Sequence, residues 1–336
     1  MENFKNAEKH KLPENIRENV SLKEYSTFKI GGNAHYFCEA QDEEKTKGAL
    51  DFAVENNLLV FVIGKGSNLL ISDKGFGGIV IKIENKDVEV VGTEDGFDAK
   101  LGAGIYLTKM ILDFQKDGMG GLEWAAGIPA TLGGAIANNA GAHGKDMSES
   151  VKTVRVLEMN FHPQDKYLES YEIKDISQAD CQFSYRDSIF KTTKKFVILN
   201  AVLSLEKGDK ENMQKVIEDN VKNRIEKQPL QYPNIGSIFK NPVLSDIEMS
   251  KIFDKDLGAR EKFKNNTIPA GWLIEQAGIK GMQIGGAQIS EKHANFIVNI
   301  ENATAEDVTM LISLVKHKIR TKFNVQLHEE IEYVGF

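Results

Sequence analysis

Eight glycines fall between Gly118 and Gly144, spaced by alanines and two asparagines in the stretch GMGGLEWAAGIPATLGGAIANNAGAHG. Glycine serves where φ must be positive or where a ligand must touch the main chain. This density therefore predicts a backbone-lined cradle for a large flat or phosphate-bearing cofactor. Surface turns also use glycine, but Ile128, Leu132, Ile136 and the alanines make the segment apolar, whereas exposed turns are usually polar. A second run, Ile63 to Leu70 (IGKGSNLL), follows an apolar stretch and offers small residues whose amides can converge on a pyrophosphate. It matches neither the GxxxxGK[ST] phosphate loop nor the GxGxxG dinucleotide turn. Two cradles about sixty residues apart suit a long dinucleotide bound across two subdomains better than a mononucleotide.

The elements that must position these loops are legible in outline. Ala49, Leu50, Ala53 and Val54 have helical spacing within Asp42 to Asn57, and LLVFVIGKGSNLLIS after them reads as a buried strand and a tight loop. Short β-rich pieces follow (IVIKI, VEVVG, FDAKLGAG). Next come a helix from Tyr106 to Lys116, the glycine-rich segment, and the strands VKTVRVLEM and KFVILNAVLSLEKG. Composition shifts at Gly208 and Asp209. Beyond it Glu211 to Lys227 reads as a charged amphipathic helix with Val216, Ile217, Asn220, Val221 and Ile225 on one face, so a domain boundary is placed there. Near the end Thr304 and Asp307 have capping-box spacing, and Val308, Leu311, Ile312, Val315, Ile319 and Phe323 form one apolar stripe, which is core. The closing HEEIEYVGF alternates like an edge or half-buried strand.

At 336 residues, two or three domains are expected. With 41% hydrophobic and 27% charged residues the composition is that of a soluble globular protein, and no apolar run reaches the roughly 18 residues of a membrane span. The first twenty residues lack the apolar core of a secretory signal, which points to the cytosol. A net charge of −7 argues against broad nucleic-acid binding, and the basic run KTTKK (Lys191 to Lys195) reads as a solvated turn. Cys38 and Cys181 stand outside any CxxC or Cys/His cluster and read as packing residues; no metal site is expected.

Several blocks occur in a telling order: STFKIGGNA, IGKGSNLLIS, GLEWAAGIPATLGGAIANNAGAHG, FSYRDSIF, GSIFKNP, IPAGWLIEQAGIKGMQIGGAQISEKHANFIVN and EEIEYVG. In that order, over nearly the whole chain, they resemble the UDP-N-acetylenolpyruvoylglucosamine reductases. The resemblance implies an α+β protein. It would have a FAD-binding fold of the PCMH (vanillyl-alcohol-oxidase-like) type in two subdomains, 1–84 with 325–336 returning to it and 85–208, and a C-terminal α+β substrate domain, 209–324. It implies FAD, NADPH as reductant, and reduction of UDP-N-acetylglucosamine enolpyruvate to UDP-N-acetylmuramate in bacterial peptidoglycan synthesis; noncovalent FAD is expected because no histidine or cysteine sits in a recognisable flavin-linking motif. The rival readings are another FAD-dependent oxidase or dehydrogenase of the same fold and a non-catalytic nucleotide-sugar binding protein.

Residue by residue, the resemblance assigns Arg186 to the enolpyruvyl carboxylate and its developing charge, Ser237 to proton donation, and Glu330 to the C-terminal carboxylate. A salt bridge to Asp187 is the competing role for Arg186, a turn residue that for Ser237, and Glu329 is the competing carboxylate. Gly64, Lys65, Gly66, Ser67, Asn68 and Leu69 in the first cradle would hold the flavin, with Gly127, Ile128, Pro129, Thr131, Gly133, Gly134, Asn139, Ala140 and Gly141 in the second. Arg224, Lys240, Asn241 and His293 would face the sugar nucleotide; Lys240 could equally be a solvated lysine and His293 a structural one. Ala130, Asn138, His143 and Glu332 depart from the residues common at their positions (glycine, methionine, tyrosine and arginine). Leu205 leads through EKGD directly into a helix, leaving no room for the tyrosine-bearing loop of some members, so the chain falls in the shorter subclass.

Overall fold

The computed structural model describes residues 12–253, 260–261 and 266–336. Its first sheet is ordered β1 (Ile16–Ser21), β2 (Asn33–Ala40), β5 (Phe76–Ile83), β3 (Val60–Ile63). β1 runs antiparallel to β2, whereas β2 and β3 both run parallel to β5. Parallel strands are covered on both faces, and β5 accordingly reads as a near-continuous apolar run, with Ile79, Val80 and Ile81 fully buried. Helix α1 (Glu43–Glu55) supplies one cover. Asp42 caps it by accepting from the Lys45 amide at 2.7 Å, and its small residues Thr46, Ala49 and Ala53 let it lie close to the sheet.

The second sheet is antiparallel, in the order β12 (Leu168–Ser177), β11 (Val151–Phe161), β13 (Phe196–Lys207), β7 (Gly96–Gly102), β6 (Val88–Gly92), with the short β8 (Met119–Gly120) beside β13. Val154, Val156, Ala201, Leu203 and Leu205 are buried in the same core as Leu107, Met110, Ile111 and Phe114 of α2 (Leu107–Asp117) and Leu132, Ala135 and Ile136 of α3 (Leu132–Ala137). One continuous core joins this sheet to the α1 side of the first. Cys38 and Cys181 are fully buried in it, and both are free thiols.

Of the face expected on α5 (Lys210–Lys227), Ile217 and Asn220 are buried, together with Met213 one turn earlier. Val216 and Ile225 are exposed, a correction to the expected stripe. The reason is that α5 docks by one narrow face on α2 and the Glu123–Ala125 turn, where Asn220 donates to the Glu123 carbonyl at 3.0 Å. Gly208 and Asp209 alone separate β13 from α5, so no loop intervenes.

The C-terminal part has a core of its own. A three-stranded sheet, β14 (Gln283–Ile284), β15 (Ala287–Ile289) and β16 (Ile297–Asn299), packs with α7 (Ala270–Gln276) and α8 (Ala305–Phe323). Thr304 and Asp307 form the expected capping box, and every residue of the apolar stripe on α8 is buried. Helix α6 (Asp246–Phe253) adds Ile252 to this core. Finally β17 (Glu332–Val334) returns to pair in parallel with β4 (Leu69–Ile71), the strand leaving the first cradle.

Among the described residues no helix is long and apolar enough to cross a membrane. Residues 1–11 of the polar N-terminal stretch lie outside the described residues; the remainder of the first twenty enters β1.

Candidate active site

A cavity of about 690 Å³ opens where the two cradles meet the C-terminal part. It is of the size that encloses a cofactor or a substrate. Gly64 through Leu69 line it, as do Ile128, Pro129, Ala130, Thr131, Gly133, Gly134, Ala140 and Gly141. Gly66 has φ +64°, and a β-carbon there would stand 2.1 Å from the Tyr25 carbonyl oxygen, so the loop can close only on glycine. Part of the glycine-rich segment is helical rather than looped. Thr131 caps α3 by accepting from the Gly134 amide at 3.3 Å, while Gly133 donates to the Ala103 carbonyl at a separation that leaves no space for a side chain. Ala130 has ordinary φ, as expected of a residue with a β-carbon, and joins the wall.

Three segments bring chemistry to this cavity. The tight turn Ser184–Asp187, closed by reciprocal main-chain hydrogen bonds, presents Arg186 at φ +57°. The stretch after Gly236 presents Ser237, which bridges to Phe296, while Phe239 bridges to Glu329 and the Glu330 amide donates to the Ile238 carbonyl at 2.8 Å. These short pairings bring the segments bearing Ser237 and Glu330 together, and both residues line the wall. Arg186 Nε lies 2.9 Å from Glu330 Oε1, and its Nη2 donates to the Gly141 carbonyl at 2.6 Å, so the guanidinium joins the flavin cradle to the C-terminal carboxylate. No bridge from Arg186 to Asp187 forms among the described residues. Asn68 in the first cradle also donates to the Glu330 carbonyl, at 3.3 Å.

Burial pushes the Glu330 carboxyl above the usual carboxylate range, against the opposing pull of Arg186 and Lys191. Glu329, the competing carboxylate, faces the other way and pairs with Lys316 on α8 at 3.0 Å. Glu329→Gln should leave turnover within about threefold and cost no more than about 1 kcal/mol, the scale of a part-exposed ion pair. Steady-state kinetics and urea unfolding check this.

Sequence reasoning missed Lys191. The KTTKK run is solvated from Thr192 to Lys195, but its first residue is not: helix α4 (Ile189–Thr193) turns Lys191 into the cavity. Its ammonium donates to Asn138 Oδ1 at 2.5 Å and to the carbonyls of Arg186 and Glu330, each at 3.2 Å. Two unexplained departures thereby find partners, Asn138 with Lys191 and Glu332 with Lys194 at 2.6 Å. The third, His143, sits exposed at φ +56° between β9 (Gly141–Ala142) and β10 (Lys145–Asp146).

Other expected residues are placed away from the cavity wall. Asn139 is buried with both ends of its amide taken, donating to the Ser184 carbonyl and accepting from the Ser148 amide, so it supports the Arg186 turn. Gly127 packs under the Arg224 side chain. Asn241 accepts from the Ala270 amide at the start of α7. His293 Nδ1 accepts from the Asn295 amide while its ring lies against Phe296, and burial lowers its basicity. Lys240 does not line the wall, but its charge reaches both Lys191 and Glu330. Arg224 does line it, and its buried Nε has no partner among the described residues.

The ionisable lysine, arginine and glutamate side chains on the wall are Lys65, Arg186, Lys191, Lys194 and Arg224 against Glu330 and Glu332, a cationic excess inside an acidic chain. Glycine cradles, an orphaned buried guanidine N–H and this excess fit a ligand with a pyrophosphate.

Comparison with known proteins agrees. The family described as UDP-N-acetylenolpyruvoylglucosamine reductase, C-terminal domain, matches residues 228–334, and the FAD binding domain family matches 34–160. A reductase of that name from Anoxybacillus flavithermus is 38% identical over 322 residues, covering 95% of this chain and 94% of its own. This chain belongs to the UDP-N-acetylenolpyruvoylglucosamine reductase family. The Bacillus subtilis reductase is 37% identical, with 95% and 94% coverage. A crystal structure of the Thermus caldophilus reductase superposes with a TM-score of 0.69 at 28% identity, over 95% of this chain and 99% of that one. The expected α+β fold, a FAD-binding part followed by a reductase C-terminal domain, is the observed one.

Proposed function

We propose that this protein reduces UDP-N-acetylglucosamine enolpyruvate to UDP-N-acetylmuramate for cytoplasmic peptidoglycan synthesis, with noncovalent FAD and with NADPH as reductant. The observation that carries the reading is the Arg186–Glu330 pair beside Ser237 in a cationic, glycine-walled cavity. Units 1–84 with 325–336, and 85–208, would form the flavin site, and 209–324 the substrate site, with α5 docked on the second unit. Absence of a loop between β13 and α5 supports assignment to the shorter subclass.

FAD, when bound, supplies the hydride that it has taken from NADPH. Gly64 to Leu69 and Ile128 to Gly134 would hold it, and Lys65 and Arg224 are the cations in reach of phosphate groups. Hydride addition at the outer carbon of the enol ether leaves negative charge on the inner carbon, shared with the carboxylate. Arg186 answers that charge. Its contacts to Glu330 and Gly141 occupy two of five N–H donors, and a planar, permanently charged fork suits a carboxylate better than an ammonium would. Ser237 then gives its hydroxyl proton to the inner carbon; so weak an acid serves only a strongly basic carbon held beside it. Glu330 holds the guanidinium in place.

Anaerobic NADPH oxidation by the purified flavoprotein tests the reading. Sustained turnover is expected only when the enolpyruvyl sugar nucleotide is present. A single stoichiometric reduction of flavin would reject this substrate and favour an oxidase of the same fold.

A further inference from the structure

Lys191 has a role that the reductase reading does not use. It sits in the cavity wall with an ammonium whose three N–H donors have three acceptors: Asn138 Oδ1, the Arg186 carbonyl and the Glu330 carbonyl. These acceptors belong to three separate stretches of chain: the C-cap of α3 in the flavin cradle, the Ser184–Asp187 turn, and the segment leading to β17. With its donors filled, the ammonium is better suited to joining protein segments than to gripping a ligand. Arg186 also needs the support. A non-glycine residue at positive φ is strained by roughly 1 kcal/mol or more, and it persists only where neighbours fix it. The turn's reciprocal hydrogen bonds fix one side of that peptide, and Lys191 holds its carbonyl.

We propose that Lys191 is a positioning residue of the reductase site, one ammonium that fixes the Arg186 guanidinium and the Glu330 carboxylate relative to each other and to the flavin cradle. This rests on the functional reading above for what the pair does, but not for the geometry itself. A positive charge here also keeps Glu330 ionised. The other charged groups acting on Lys191 are Lys240, which opposes its charge, and Glu330, Asp187 and Glu332, which favour it; Glu332 is itself paired with Lys194 at the end of α4. Burial lowers the basicity of the ammonium further, while its three hydrogen bonds to neutral carbonyl and amide oxygens replace the water that burial removes.

The test compares K191M and K191R with the unaltered flavin-loaded enzyme. In K191M, kcat should fall about 10- to 50-fold, as misplaced catalytic groups cost, with KM for the sugar nucleotide and flavin reduction by NADPH held within about threefold. The acid limb of its pH profile should move up by about half a pH unit or more, because a cation beside Glu330 has gone; in K191R the limb should stay. Unaltered kcat and an unmoved limb in K191M overturn the proposal. Equal losses in both variants with both limbs unmoved also overturn it, since that pattern marks packing alone. If K191M does not hold flavin, K191R decides. Its planar fork cannot reproduce three convergent donors, so a fall in kcat of about fivefold or more, with KM and flavin reduction by NADPH held within about threefold, supports the proposal; a smaller fall, or an equal loss in all three, overturns it. Infrared titration of the Glu330 carboxyl, assigned by its loss in E330Q, gives the same comparison without substrate. Failure of the enzyme to reduce the enolpyruvyl compound would therefore sink the functional reading while leaving this one decidable.

Discussion

Ser237→Ala is expected to separate the two half-reactions. NADPH should still bleach the flavin at close to the normal rate, while formation of UDP-N-acetylmuramate falls about 10³-fold, within the range assigned to a positioned general acid. The argument is geometric. Ser237 lies on the cavity wall and its main chain is fixed by the bridge to Phe296 and by the Ile238 hydrogen bond to the Asn295 carbonyl. Losing the hydroxyl should therefore remove the proton source without moving the walls. Stopped-flow absorbance follows the first half-reaction and single-turnover product analysis the second. Equal retention of both rates would remove serine from the mechanism. In deuterated solvent the unaltered enzyme should place one deuterium on the inner carbon, the atom that accepts the hydroxyl proton.

Glu330→Gln should lower kcat about 100-fold, near the loss seen when one preorganised electrostatic contact is removed. A glutamine can still accept from Arg186 Nε but carries no charge, so a half-buried guanidinium would lose its counter-ion. The pH profile distinguishes this from simple damage. Burial raises the Glu330 carboxyl above the usual carboxylate range, so activity of the unaltered enzyme should fall, as pH drops, sooner than an exposed glutamate would allow. The group works ionised and is lost by protonation; hence that limb should vanish in the glutamine variant. A limb of unchanged position there would assign it to another group. Set beside the near-neutral Glu329→Gln, the result would show that orientation separates two adjacent carboxylates, one facing Lys316 and the other Arg186.

The cradles were legible because each is local in sequence: strand followed by glycine loop, and the helix spacing in α1, α2 and α8, reflect short-range rules. Arg186, Ser237 and Glu330, which line the cavity, lie far apart in the chain and were assigned only through the resemblance of the motif blocks to a known family. What was not legible depends on distant pairings. Lys191 lies in a basic run that reads as solvent-facing, and only the approach of residues 138, 186 and 330 makes it interior. Asn139 and Asn241 were assigned to ligands by resemblance alone, and nothing in the local sequence shows the main-chain groups that their side chains engage. The exposed Val216 and Ile225 were misplaced for a related reason: periodicity reports which residues could face a partner, whereas the width of the partner decides how many do.

The parallel pairing of β17 with β4 also bears on when the protein can work. Asn68 and Glu330, which it brings together, are 262 positions apart, so this contact closes a very long loop and gains nothing from local structure. During synthesis both cradles and the Arg186 turn emerge well before the segment bearing Glu330. A chain at that stage could shape most of a flavin site but would lack the counter-ion of its guanidinium. Completion of the reactive centre thus waits for the segment bearing Glu330, the residue that pairs with Arg186, to be made.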